Sequence, residues 1–165
     1  KGEVVTLLGR NGAGRTTTMR AIMGLTGARK GSIKINGVET VGMATHRIAH
    51  LGVGYCPEER GIFSSLSCEE NLLLPPALKT GTPGKLLLLD EISEGLAPVI
   101  VQALARMITM LRDKGYTVVM VEQNFRFAAP RADRFYVMEH GCIVESFGSG
   151  ELQEKMPVLN QLLGV

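Results

Sequence analysis

At 165 residues the chain fits one domain, and a domain of that size buries roughly 70% of its unfolded surface, so a true core is within reach. Apolar residues make up 45% and aromatics only 5%, with no Trp and 20 Gly, which suits an aliphatic α/β protein and argues against an aromatic-rich β-sandwich. A net charge of +2 without a basic run excludes nucleic acid or an anionic membrane surface as the main partner, and the three cysteines, Cys56, Cys68 and Cys142, without C-x-x-C spacing, imply neither a disulfide framework nor a zinc site.

The cysteine usage points to a reducing cytosol. No apolar run approaches the eighteen or so residues of a membrane span, and the start carries no secretory pattern. The chain opens at Lys1-Gly2-Glu3 and enters a strand at once, so an N-terminal portion is expected to be missing.

Residues 3–8, Glu-Val-Val-Thr-Leu-Leu, form a β-branched and aliphatic run that reads as a buried strand, followed by a glycine-rich turn and a helix over residues 16–23. Residues 32–35 read as a strand entering a hairpin at Asn36-Gly37, a pair that tolerates the positive φ such turns need. A short helix is expected over 45–50, a strand over 53–56, and a helix over 68–74 capped by Ser67 with Glu70 completing a capping box. Pro75-Pro76 should stop that helix, and residues 79–85, Lys-Thr-Gly-Thr-Pro-Gly-Lys, are the strongest linker signal in the chain.

Four leucines, residues 86–89, lead into Asp90-Glu91, as in a strand buried on both faces with carboxylates at its carboxyl end. From Pro98, a first-turn residue, Ile100, Leu104, Met107, Ile108 and Leu111 recur at helical spacing and are read as core packing, with Gly115 as the stop. Residues 117–121 are β-branched again, and 135–138 and 143–144 flank His140-Gly141 as a hairpin, which makes His140 a surface turn residue. Strands alternating with helices favour a mostly parallel sheet flanked by helices, with some antiparallel strands, an α/β fold.

Gly9-Arg10-Asn11-Gly12-Ala13-Gly14-Arg15-Thr16 matches the phosphate-loop pattern G-x-x-x-x-G-K-[ST] except at Lys, which is Arg15. Its glycines let the backbone wrap closely, so that successive amides and the N-terminus of the next helix converge on phosphate oxygens. Residues Gly9 through Thr17 are therefore the candidate nucleotide site, with the Thr16 hydroxyl as a Mg²⁺ ligand. Arg15 keeps the charge but replaces a compact ammonium by a planar fork, which is expected to weaken or misalign nucleotide binding. Asp90 would hold Mg²⁺, directly or through water, while Glu91 polarises the water that attacks a γ-phosphate. This Asp-Glu pair favours ATP hydrolysis over a soluble kinase, and no N-K-x-D segment for guanine is present.

With these motifs the chain resembles the cassette ATPases of ABC transporters, a P-loop NTPase family, and within them the second ATPase subunit of branched-chain amino acid importers. The likeness covers the chain outside residues 79–85. It rests on residues 6–14, on Gly54-Tyr55-Cys56-Pro57-Glu58-Glu59-Arg60-Gly61-Ile62-Phe63, on Glu69-Glu70-Asn71-Leu72 and on Ser93-Glu94-Gly95-Leu96-Ala97-Pro98, with Val121-Glu122-Gln123-Asn124, Met138-Glu139-His140-Gly141 and the closing Leu162-Leu163-Gly164-Val165.

The resemblance implies that Glu58 takes the place of the Gln that senses the metal and contacts the membrane partner; without it, Glu58 reads as a solvated loop charge. Residues 93–96 correspond to the loop that crosses the dimer interface. Gln123 falls where most cassettes carry a switch His on the γ-phosphate; read from its neighbours alone, it could instead cap the following helix. Ile92 replaces the usual Pro after the Walker B glutamate, a change expected to tilt Glu91.

The family also normally carries a helical subdomain with an L-S-G-G-Q signature between residues 79 and 85, and neither that signature nor an adenine-stacking aromatic strand at the start is present. Residues 1–165 are therefore expected to be one ABC-type nucleotide-binding domain, short at its N-terminus. The implied ligands are ATP and Mg²⁺. The implied partners are permease subunits of the inner membrane, a second ATPase subunit and, indirectly, a periplasmic binding protein, which places the chain on the cytoplasmic face of that membrane. With Arg15 and the two gaps, a remnant that binds nucleotide without turnover is the competing expectation.

Overall fold

The computed structural model describes residues 2–58 and 86–164. The expected helix over 68–74, the linker over 79–85 and the resemblance carried by residues 59–63 and 69–72 lie outside them.

A six-stranded sheet runs in the order β4-β5-β6-β1-β7-β8. Its first five strands, β4 (Val53–Cys56), β5 (Leu86–Asp90), β6 (Thr117–Val121), β1 (Val4–Gly9) and β7 (Arg134–Glu139), are mutually parallel. The last, β8 (Cys142–Gly148), returns antiparallel to β7. Parallel strands are covered on both faces, which is why β1, β5 and β6 are almost wholly aliphatic. The side-chain period of two then sorts them. Leu7, Leu88 and Val121 pack with Met19, Met23 and Ile48 on one face, while Val4, Leu89, Val118 and Met120 pack with Ala105 and Ile108 on the other.

Helix α1 (Arg15–Ile22) lies on the first face and α3 (Pro98–Asp113) on the second. The last helix, α5 (Leu152–Leu163), lends Leu159 to a third cluster built with Leu8, Phe135, Val137 and Phe147. Outside the sheet, β2 (Lys34–Ile35) and β3 (Val38–Glu39) form the small hairpin, with Asn36 at φ 51° and Gly37 at φ 81°, as the Asn-Gly pair required. Two short helices, α2 (Thr45–Ala49) and α4 (Phe125–Ala128), and a 3-10 turn at Ser149–Glu151 complete the described elements. His140, exposed at φ 48°, forms the β7–β8 turn with Gly141.

One expectation needs correcting. Of the expected core stripe of α3, Leu104 and Ile108 do pack into the core, but Ile100 is 46% and Met107 37% exposed. Its buried side instead runs through Val101, Leu104, Ala105 and Ile108, a rotation of about one position. Small Ala105 is the reason, because it lets the helix sit close to Val118 and Met120, a contact that hydrophobicity alone does not reveal.

Candidate functional site

The site lies at the carboxyl ends of β1, β5 and β6, the edge where open α/β sheets bind ligands. At the end of β1 a Cβ on Gly9 would stand 2.7 Å from the Met138 carbonyl oxygen, so only glycine lets the loop leave the strand. Gly14 at φ 101° then turns the chain into α1. The loop is anchored from outside by the Gly141 amide, which donates to the Ala13 carbonyl at 2.8 Å, and by Arg10, whose Nη2 donates to the Gln161 carbonyl at 3.2 Å. The first helical bond runs from the Thr18 amide to the Gly14 carbonyl, so the amides ahead of it have no place in the helical ladder. Residues 11–17 line a pocket of about 290 Å³ together with Glu58, Glu91 and Gln123. Such a bowl of amides at a helix N-terminus is suited to an oxyanion.

Asp90 and Glu91 part company at the end of β5. Asp90 is wholly buried; its Oδ1 accepts from the Thr16 hydroxyl at 3.2 Å and its Oδ2 from the Tyr55 hydroxyl at 3.3 Å. Burial pushes its carboxyl above the usual range, opposed by those two hydrogen bonds. A hydroxyl and a carboxylate this close form a hard-oxygen pair of the kind a divalent cation takes. Glu91 has φ 49°, the left-handed region, and its amide donates to the Val121 carbonyl at 2.9 Å. Ile92, in place of the usual Pro, is buried against the α3 face of the sheet, next to this turned backbone.

The structure brings Arg15 and Glu91 together rather than leaving Arg15 to the pocket. Its Nη2 lies 2.9 Å from Glu91 Oε1, with 5% and 7% exposure on the two sides, and its Nη1 donates to the Glu122 carbonyl at 3.0 Å. Gln123 Nε2 donates to the other oxygen of Glu91 at 2.9 Å. Both carboxylate oxygens are thus engaged, one by a charge-assisted bond. The capping alternative for Gln123 fails, because Asn124 caps α4 by accepting from the Phe127 amide at 3.1 Å.

Glu58 is exposed at the rim, and its carboxylate, with those of Glu91 and Glu94, forms a group whose oxygens lie within 4.8 Å of one another. Of the loop after Glu91, the glutamate and glycine at 94 and 95 are exposed, whereas Ser93 is 6% exposed and points inward.

One buried acidic residue beside the site was not singled out by sequence reasoning. Glu122 is 2% exposed, and its carboxylate accepts from both the Ser93 amide at 3.1 Å and the Ser93 hydroxyl at 2.7 Å. Burial holds its carboxyl above the usual range, with the Ser93 bonds opposing. The available signal was an acidic residue directly after the buried strand Thr-Val-Val-Met-Val, beside the phosphate-loop strand.

The ABC transporter family model matches residues 1–124, most of the chain. The protein belongs to the ABC transporter ATP-binding family. Among its relatives is the high-affinity branched-chain amino acid transport ATP-binding protein BraG of Pseudomonas aeruginosa, 38% identical over 87% of this chain and 80% of that protein. The lipopolysaccharide export ATP-binding protein LptB of Escherichia coli K12 is 27% identical over 99% of this chain and 86% of its own length. An ATP-binding subunit of an ABC transporter superposes with a TM-score of 0.79 at 22% identity, covering 98% of this chain and 86% of that one. An archetypal fold is therefore shared: a P-loop ABC ATPase sheet, mostly parallel, with helices on both faces. The chain is an ATP-binding, energy-coupling subunit type from a family that hydrolyses ATP, dimerises and works with membrane permeases. Among the described residues no helix is long and apolar enough to cross a membrane.

Proposed function

We propose that this protein is the ATP-hydrolysing subunit of an importer for branched-chain amino acids or related amides, on the cytoplasmic face of the inner membrane. The observation that carries the ATPase part is convergence. Residues 11–17 of the amide loop and Glu91 with Gln123 line one pocket, and Asp90 is joined to it beneath the surface through the Thr16 hydroxyl, although these residues come from distant parts of the chain. The amides of the loop would bind the phosphates, Thr16 and Asp90 would hold Mg²⁺, and Glu91 would take the proton of the attacking water with Gln123 orienting its carboxylate. Bound there, Mg²⁺ would neutralise charge on the phosphates. The likeness to BraG supports the amino acid part, and a periplasmic binding protein would deliver the substrate.

A second reading has an observation of its own. Arg15 is committed to Glu91, and Glu58 lines the same pocket with the Glu94 carboxylate close beside it, so an incoming polyphosphate meets a cation already neutralised and further negative charge nearby. Alignment with BraG runs over 187 positions while covering only 87% of this 165-residue chain, so gaps fall inside this chain, which supports the absence of an internal segment. This favours a nucleotide-binding remnant without turnover. The assay that separates the readings measures phosphate release with Mg²⁺-ATP by this chain and by an Arg15→Lys version with a signature-bearing helical segment restored at 79–85. Turnover in the second alone supports transport ancestry with a disabled site; equal turnover in both removes the second reading, and no nucleotide binding by either removes the first. Rescue of leucine uptake in a strain lacking its own importer ATPase, by the restored version, tests the substrate class.

A further inference from the structure

Among the described residues Glu122 is a second almost wholly buried carboxyl beside Asp90, and the roles above make no use of its carboxylate. It takes two hydrogen bonds from a single residue, Ser93, through the main-chain amide and the side-chain hydroxyl. A carboxylate at 2% exposure is costly to bury, and an aliphatic residue would continue β6 with less cost unless the charge has a task.

The geometry shows what it holds. Ser93 is two residues after Glu91, and Glu91 keeps a left-handed φ of 49°, a conformation that relaxes in a non-glycine residue unless the neighbouring backbone is fixed on both sides. On the strand side, β5 is paired to β6 through Asp90–Val121, and the Glu91 amide donates to the Val121 carbonyl. On the loop side, Ile92 is packed into the α3 face and Ser93 is buried, while the residues after Ser93 form a wall of an open cleft of about 620 Å³. Next to the apolar anchorage of Ile92, the bidentate hold of Glu122 on Ser93 is the polar fixed point on that side.

We propose that Glu122 is a positioning residue: by gripping Ser93 at both its amide and its hydroxyl, it locks the turn that aims the Glu91 carboxylate into the phosphate pocket. The inference deepens the ATPase reading and rests on it for its consequence, although the grip itself is testable without nucleotide. Glu122→Met keeps the volume and removes both acceptors, whereas Glu122→Gln keeps an acceptor oxygen and lets its amide donate to the Ser93 hydroxyl.

Two readouts in the nucleotide-free chain are hydrogen exchange at the Ser93 amide and the carbon chemical shift of the Glu91 carboxyl. In Glu122→Met, exchange at Ser93 should accelerate at least tenfold and the Glu91 signal should move; in Glu122→Gln, exchange should stay within about threefold and the Glu91 signal near its original place. A Glu91 signal unmoved in the Met variant, or equally displaced in both, overturns the proposal. Where the Met variant does not fold, Ser93→Ala, which deletes only the hydroxyl arm, decides in the same way: a displaced Glu91 signal supports the grip and an unmoved one overturns it. In a hydrolysing version, Glu122→Met should lower kcat tenfold or more with KM within twofold, and the reverse split overturns the positioning role. Loss of ATP binding in every variant and in the parent defeats the ATPase reading and leaves the Ser93 result to stand or fall separately.

Discussion

The phosphate edge and the β7–β8 corner of this molecule both bury side chains, but hold them by different means. At the corner, Phe135 stacks on Phe147 with centroids 5.1 Å apart, among Leu8, Val137 and Leu159, all apolar. At the phosphate edge the enclosed groups are Arg15, Asp90, Glu91, Ser93 and Glu122, held by ion pairing and hydrogen bonds. The corner is stabilised by every contact it makes, additively and without direction. The edge is stable only as a set, since each charge is tolerated because its partner is present. A site that must exchange partners for a ligand is built in the second way.

The sharpest way to break this contrast is to delete one component on each side. Phe135→Ala should lower stability by about 3–5 kcal/mol, measured by urea denaturation, because the vacated volume has few ways to collapse. Arg15→Met should cost a similar ~3–5 kcal/mol by leaving Glu91 buried without its cation, yet Arg15→Met with Glu91→Leu should recover most of that loss. No second substitution at the corner should rescue Phe135→Ala comparably, and failure of the Arg15–Glu91 double variant to recover would show that the edge is not a coupled set.

Smaller changes sharpen the picture. Arg15→Lys should tighten ADP binding, read by calorimetry, because a compact ammonium satisfies Glu91 less completely than the fork and can turn to phosphate. Asn124→Ala should cost about 1 kcal/mol, the value of a lost helix cap, and leave the Gln123–Glu91 contact in place.

The smallest effect belongs to an exposed turn far from both regions. Glu39 is held at about 2 by the Ser32 hydroxyl first and then by the Val41 and Ile33 amides. Because its folded value is depressed, its contribution to stability is present above the unfolded value near 4.5 and is lost as pH falls toward 2. Glu39→Gln should therefore be slightly less stable than the parent at pH 7, with the difference shrinking as pH falls from about 4.5 through 2, by the same denaturation measurement.

Much of this could be seen in the residues. The aliphatic runs before Gly9, Asp90 and Glu122 marked buried parallel strands, because a strand covered on both faces has no polar alternation to hide it. The loop over residues 9–17 was legible because its glycines sit where only glycine fits, and Asn36-Gly37 named its own turn. What sequence could not decide was who faces whom. It left the buried side of α3 one position astray, since Ala105 and not Met107 permits the close approach to β6. The pairing of Arg15 with Glu91 and of Glu122 with Ser93 joins residues 76 and 29 positions apart. Local spacing determines elements and loops, whereas partnerships among buried charges are chosen only when the sheet order brings strand ends side by side and removes the water that would otherwise have solvated them.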